Sequence, residues 1–184
     1  MNSKAKVAPV VKKATVVQLP VKRAPRLKRV VKRGIRIREA SETHIRYFYA
    51  GYKLGAFKEQ IDGTDMTAIE FTDALTQYTE PFTHLFTSDT GEEKPLCLGV
   101  GKLEENRLEI HNIWMPWATP RNKLESTIAF YTEYNRWYTV ITTIFEEALP
   151  FYNHVRKYGV VRLVGEIRDF NEKGTVYIFQ GVKK

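Results

Sequence analysis

Hydrophobic and polar positions divide residues 35–182 into a succession of strands and helices. Ile35-Arg36-Ile37-Arg38 alternates with period two, as a short half-buried strand does. Ser41 then stands where a helix N-cap belongs, and Ile45, Phe48, Tyr49 and Tyr52 follow at i, i+3, i+4 and i+7, the spacing of an amphipathic helix. A second helix, capped by Thr64 or Asp65, carries Phe71, Leu75 and Tyr78 on one stripe and stops before Pro81. Three strands follow over 82–87, 95–103 and 107–115, turned by Asp89-Thr90-Gly91 and Glu104-Glu105-Asn106, which is the pattern of an antiparallel meander. Pro116 and Pro120 end it, and a helix from about Arg121 to Tyr134 buries Leu124, Ile128 and Tyr131. The β-branched and aromatic run 138–145 predicts a central strand. Residues 147–159 predict a helix closed by Gly159, and a hairpin over 160–169 and 175–182 turns through Asn171-Glu172-Lys173-Gly174. The order β-α-α-β-β-β-α-β-α-β-β predicts an α/β fold, a mixed, mostly antiparallel sheet flanked by helices.

Charge changes this picture at the N-terminus. Residues 1–34 hold eleven Lys or Arg and no acidic residue; the remaining 18 basic and 21 acidic residues give 35–184 a balance of −3. The chain is thus predicted to be a basic extended arm, 1–34, on a slightly acidic domain, 35–184. Pro9, Pro20 and Pro25 interrupt any helix in the arm, and it has no aromatic residue with which to build a core or stack bases. Lys12, Lys13, Lys22, Arg23, Arg26, Lys28, Arg29, Lys32 and Arg33 are the candidate contacts to a partner, either an acidic protein surface or nucleic acid. The pairs Val10-Val11, Val16-Val17 and Val30-Val31 suit addition to a sheet edge. A solvated tail and an organelle-targeting leader are the competing readings, the second disfavoured by low serine content. No apolar run has the roughly 20 residues needed to span a bilayer, so no membrane partner is expected. The N-terminus lacks a secretory pattern, and the lone Cys97 points to a reducing compartment.

Several strings resemble the GNAT family of N-acetyltransferases. "IRIREASETHIRYFYAGY" is similar to that family's opening strand and helix, "LEIHNIWMPWATPR" to its fourth strand and exit, and "FYNHVRKYGVVRLVGEI" to its late helix and following strand. The resemblance covers residues 35–184 and implies a sheet that opens to admit acetyl-CoA. It further implies that the helix after the fourth strand begins Arg/Gln-x-x-Gly-x-Gly/Ala, whose exposed amides hold a pyrophosphate. Here that stretch reads Arg121-Asn122-Lys123-Leu124-Glu125-Ser126. Leucine replaces the first glycine, serine the second, and a carboxylate stands between them. Close approach of phosphate to main-chain amides requires small residues, so this loop reads as sealed, with Arg121, Asn122, Lys123 and Ser126 as remnants.

On the same resemblance Glu109 or His111 would take the proton of an acceptor amine, and Tyr152 would supply one to the leaving thiolate. The dispersed histidines and the single cysteine offer no metal-ligand spacing. "GVGK" at 99–102 lies inside a strand, not in a phosphate loop. Trp114 and Trp117 either fill the cleft or form an exposed patch. The charge partition and the glycine-free loop together predict a non-catalytic structural or binding subunit without a cofactor. In style it resembles phage virion components of this fold, which places it in a virion or the host cytoplasm and docks it through its arm. An acetyl-CoA-dependent N-acetyltransferase is the alternative.

Overall fold

The computed structural model describes residues 30–32, 35–58, 60–61, 63–77, 83–90, 94–172 and 174–183. The candidate partner contacts Lys12, Lys13, Lys22, Arg23, Arg26, Lys28, Arg29 and Arg33 lie outside them. In chain order the elements are β1 (Val30–Lys32), β2 (Ile35–Glu39), α1 (Glu42–Lys53), α2 (Ala68–Gln77), β3 (Thr83–Asp89), β4 (Pro95–Glu104) and β5 (Arg107–Trp114). Then come α3 (Pro120–Tyr134), β6 (Thr139–Phe145), a single 3₁₀ turn (Glu146–Ala148), α4 (Leu149–Arg156), β7 (Val161–Asn171) and β8 (Gly174–Gly181). One sheet contains all the strands in the order β1-β2-β3-β4-β5-β6-β8-β7.

Every pairing is antiparallel except β5 with β6. That parallel contact lasts for three residue pairs, Arg107↔Thr139, Leu108↔Val140 and Glu109↔Ile141, after which the strands part. The remaining lengths, Ile110–Trp114 and Thr142–Phe145, form a fork in the middle of the sheet. Each keeps its outer neighbour, β4 on one side and β8 on the other, so the fork is held open from both flanks.

Two apolar clusters cover the two faces. One gathers Leu108, Ile110, Val140 and Ile144 under Phe130, Tyr131, Tyr134, Tyr152 and Val155 of α3 and α4. The other gathers Leu98, Val100, Ile113 and Met115 under Phe48, Tyr52, Phe57 and Phe71. Each fully buried aromatic of this kind contributes about 1.5–3 kcal/mol through area removed from water. The alternation along β5 follows directly: Leu108 and Ile110 face α3, whereas Ile113 faces α1 and α2.

The structure departs from the sequence expectations at four places. Helix α2 is capped by Thr67, not by Thr64 or Asp65: the Thr67 N–H donates to Glu70 and the Glu70 N–H donates to Thr67 Oγ1, a capping box one turn further on. Tyr78 lies outside the described residues. Asp89, expected in a turn, ends β3 buried and ion-paired with Arg38 at 2.7 Å, because β2 lies alongside it. The helix expected over 147–159 begins as the 3₁₀ turn and becomes α-helical only from Leu149 to Arg156, with Pro150 in its first turn. Finally, Val30–Lys32, expected in the arm, pairs with β2 and forms the edge of the sheet.

Candidate active site

The fork is lined by polar groups on its α3 and α4 side. Along β6, positions 140, 142 and 144 are buried, and the middle one is Thr142. Its Oγ1 donates to the Ile110 carbonyl across the opening at 3.4 Å, just beyond the last paired residues. Tyr131 Oη lies 2.5 Å from Thr142 Oγ1, a short hydroxyl–hydroxyl contact in which either group can donate.

Tyr152, from α4, completes the group. It is 5 % exposed, and its hydroxyl meets Thr142, Tyr131 and Asn112. Burial pushes its pKa up to about 12, against the contrary pull of hydrogen bonds from those three side chains. Burial likewise raises Tyr131 well above the ordinary tyrosine range. Asn112 accepts a long contact from the Cys97 thiol at 3.8 Å, which leaves its amide nitrogen to donate to Tyr152. Cys97 is fully buried, and burial lifts its thiol well above the usual value.

Glu109 and His111 sit on the opposite face of β5, where Glu109 Oε1 and His111 Nε2 are 3.4 Å apart and the imidazole is half exposed. The structure therefore brings Glu109 and His111 together, and it keeps Tyr152 on the other side of the strand. Tyr131, Thr142 and Asn112 were not singled out from sequence as site residues. Thr142 carried a readable signal, as the polar member of a buried alternation. The other two carried none, because only the fork assembles them.

At the mouth of the fork, Gln60 receives the Trp114 N–H at 2.7 Å and donates to its carbonyl at 3.0 Å. Trp114 packs against the α3-side core, while Trp117 is partly exposed, donates Nε1–H to the Pro95 carbonyl and lies beneath Lys94. The two tryptophans thus divide between the two roles expected of them. The Lys123 ammonium lies 6.0 Å from the Trp114 ring centre.

The first turn of α3 is where the family resemblance implies a glycine loop. Thr119 caps the helix, accepting the Asn122 N–H at 3.2 Å, and Asn122 Oδ1 in turn takes the Thr119 hydroxyl at 2.6 Å. Pro120 has no N–H, and the Lys123 N–H goes to the Thr119 carbonyl. Few amides remain for an anion. The two side chains that argued for a sealed loop are nonetheless turned elsewhere. Leu124 packs down against the α3-side core, and Glu125 is 20 % exposed and paired with Arg121 at 3.0 Å. Ser126 is buried. The donors available to an acyl-CoA would be the hydroxyl cluster in the fork for its acyl end and the Lys123 and Arg121 cations, in place of an amide cradle, for its phosphates.

Comparison with protein-family models and with curated protein sequences returns no match. Among solved structures, the spermidine N-acetyltransferase of Vibrio cholerae in complex with CoA and spermine is 10 % identical, with a TM-score of 0.60 over 82 % of this chain and 96 % of that one. RimL, a ribosomal-protein alpha-N-acetyltransferase, is 14 % identical, with a TM-score of 0.61 over 82 % and 91 %. The ribosomal-protein alanine N-acetyltransferase of Escherichia coli is 8 % identical, with a TM-score of 0.58 over 82 % and 95 %. These likenesses overturn the expectation of a non-catalytic subunit: the three structures named share this architecture and are N-acetyltransferases, and one of them holds CoA. The virion placement gains no support from them. Among the described residues no helix is long and apolar enough to cross a membrane. The chain has the mixed α/β fold of the GNAT acetyltransferases, entered by a short edge strand that the sequence had assigned to the arm.

Proposed function

We propose that this chain is an acetyl-CoA-dependent N-acetyltransferase with Tyr152 as its general acid. One observation carries the reading: the buried Tyr152 hydroxyl lies among Thr142, Tyr131 and Asn112 at the place where β5 and β6 part. Bound acetyl-CoA would supply a thioester, an acyl group on a sulfur leaving group. Tyr152 gives its hydroxyl proton to that sulfur as the carbon–sulfur bond breaks and the new nitrogen–carbon bond forms. Its phenolate regains a proton from the one shed by the amine, collected by His111 or Glu109 on the more exposed face of β5 and passed through solvent.

Magnitudes bear on this assignment. An alkyl thiol ordinarily has a pKa of about 8.5, so a tyrosine near 12 is a poor acid toward a thiolate in water. In the fork the comparison changes, because burial that lifts the Cys97 thiol well above its usual value also makes an expelled thiolate a stronger base. Acid and leaving group rise together. Arg121 and Lys123 would attract the phosphates as screened cations.

Two measurements test the reading. Calorimetry with acetyl-CoA is expected to show binding in the micromolar range, weakened by Lys123→Met. Thiol release monitored against a panel of primary amines is expected to show turnover that Tyr152→Phe reduces about 100-fold or more. Absence of acetyl-CoA binding at millimolar concentration removes the proposal.

A further inference from the structure

We infer that Tyr131 and Thr142 are positioning residues: anchored on the Ile110 carbonyl, their hydroxyls fix where the Tyr152 proton is presented. The inference rests on the acetyltransferase reading for its kinetic consequence, and on geometry alone for the arrangement itself.

Two contacts order the hydroxyls of the group. Thr142 donates to Ile110, the first β5 carbonyl past the paired segment, so its oxygen is oriented by the backbone at the fork. Tyr131 Oη lies 2.5 Å from that oxygen, and both tyrosines are buried. When the Tyr152 proton leaves, the phenolate oxygen faces the Asn112 amide and two hydroxyls able to turn toward it. Tyr131 comes from α3, Thr142 from β6, Asn112 from β5 and Tyr152 from α4, so four elements contribute to one polar cluster. An apolar fork would have been simpler to pack, since each buried hydroxyl costs free energy unless it is satisfied. The polar lining is therefore informative about use.

The test compares Tyr131→Phe, Thr142→Val and Thr142→Ser with the wild-type chain. With acetyl-CoA, Tyr131→Phe and Thr142→Val are expected to lower kcat about 10- to 100-fold while KM stays within about twofold, a fraction of what a whole acid contributes. Thr142→Ser, which keeps the hydroxyl, is expected to recover most of that loss. With p-nitrophenyl acetate, whose leaving phenolate needs no proton, the losses are expected to shrink to about twofold. Equal losses with both donors, or Thr142→Ser behaving like Thr142→Val, would reduce the residues to packing and overturn the inference. If Thr142→Val does not fold, Tyr131→Phe carries the same donor comparison. A wild-type chain that transfers no acetyl group defeats the function proposed above, and NMR then decides the arrangement. The slowly exchanging Tyr152 hydroxyl proton is expected downfield in the wild type and displaced or lost in Tyr131→Phe; an unmoved signal overturns the positioning role.

Discussion

Gly181 closes β8 against Asn135, the residue that caps the C-terminus of α3. A Cβ placed on Gly181 would lie 1.8 Å from Asn135 Oδ1, 2.5 Å from its Cγ and 2.7 Å from its Nδ2, distances no side chain tolerates. The carboxamide would have to leave, and with it two hydrogen bonds from Nδ2, to the Val160 carbonyl at 3.1 Å and the Val182 carbonyl at 3.2 Å. Each such bond contributes about 0.5–1.5 kcal/mol net, and stranding a buried polar group costs about 1–3 kcal/mol, so Gly181→Ala is expected to destabilise by about 2–4 kcal/mol. For a chain of this length that corresponds to a fall of roughly 5–15 °C in Tm. The cycle with Asn135→Ala isolates the cause. Asn135→Ala alone is expected to cost about 1–3 kcal/mol, and adding Gly181→Ala to it should cost about 1 kcal/mol or less, because the obstructing atoms are gone. Urea unfolding of the four proteins measures all the terms. If the two single costs add within about 0.5 kcal/mol, the clash is not the reason for glycine here.

Three further outcomes follow from particular contacts. Tyr131, Tyr134, Tyr138 and Tyr152 all have pKa values raised by burial, so the stability they confer is complete below pH 10 and is lost as pH rises toward and past 12; absorbance at 295 nm should show these phenols ionising together with alkaline unfolding, and their ionisation in the native state would contradict the burial. Glu70 has its pKa lowered by the Thr67 N–H and hydroxyl, so its contribution is present above the normal carboxylate range and fades as pH falls through the folded value; Glu70→Gln should flatten that acid limb in thermal melts across pH 3–6. Removing residues 1–34 strips β1 from β2 and should lower Tm relative to removing 1–29; equal melting of the two truncations would show that β1 adds nothing.

Local pattern reached far into this fold and then stopped at contacts between distant residues. The stripe Ile45, Phe48, Tyr49, Tyr52 predicted α1 because helix periodicity is a local property, and the buried Phe48 and Tyr52 sit where that stripe requires. Asp89 misled because Asp-Thr-Gly is a turn signal, while its partner Arg38 lies far away in sequence on β2. The α2 cap was legible in principle, since Thr67 and Glu70 have capping-box spacing, but Thr64 and Asp65 offered the same chemistry earlier. At the site, Tyr152 was reachable through family resemblance alone. Asn112 and Tyr131 were not reachable at all: their role depends on where β5 and β6 separate, and no local window encodes a separation between strands.

The glycine-free turn shows why a local argument about function failed. The inference of a lost cofactor treated Leu124 and Glu125 as projecting toward a ligand. Helix geometry decides otherwise, since residues four apart share a face, and this puts Glu125 beside Arg121 while turning Leu124 onto the core. What the helix gives up is main-chain amide donors, engaged by Thr119 or absent at Pro120. On the acetyltransferase reading proposed above, anion attraction would pass to side-chain cations, which salt screens more strongly than it does a buried amide cradle. A general acid at the fork would be spared that loss, because it would act at the acyl group and not at the phosphates. Such a chain would hold its acyl donor weakly and still present a proton to it.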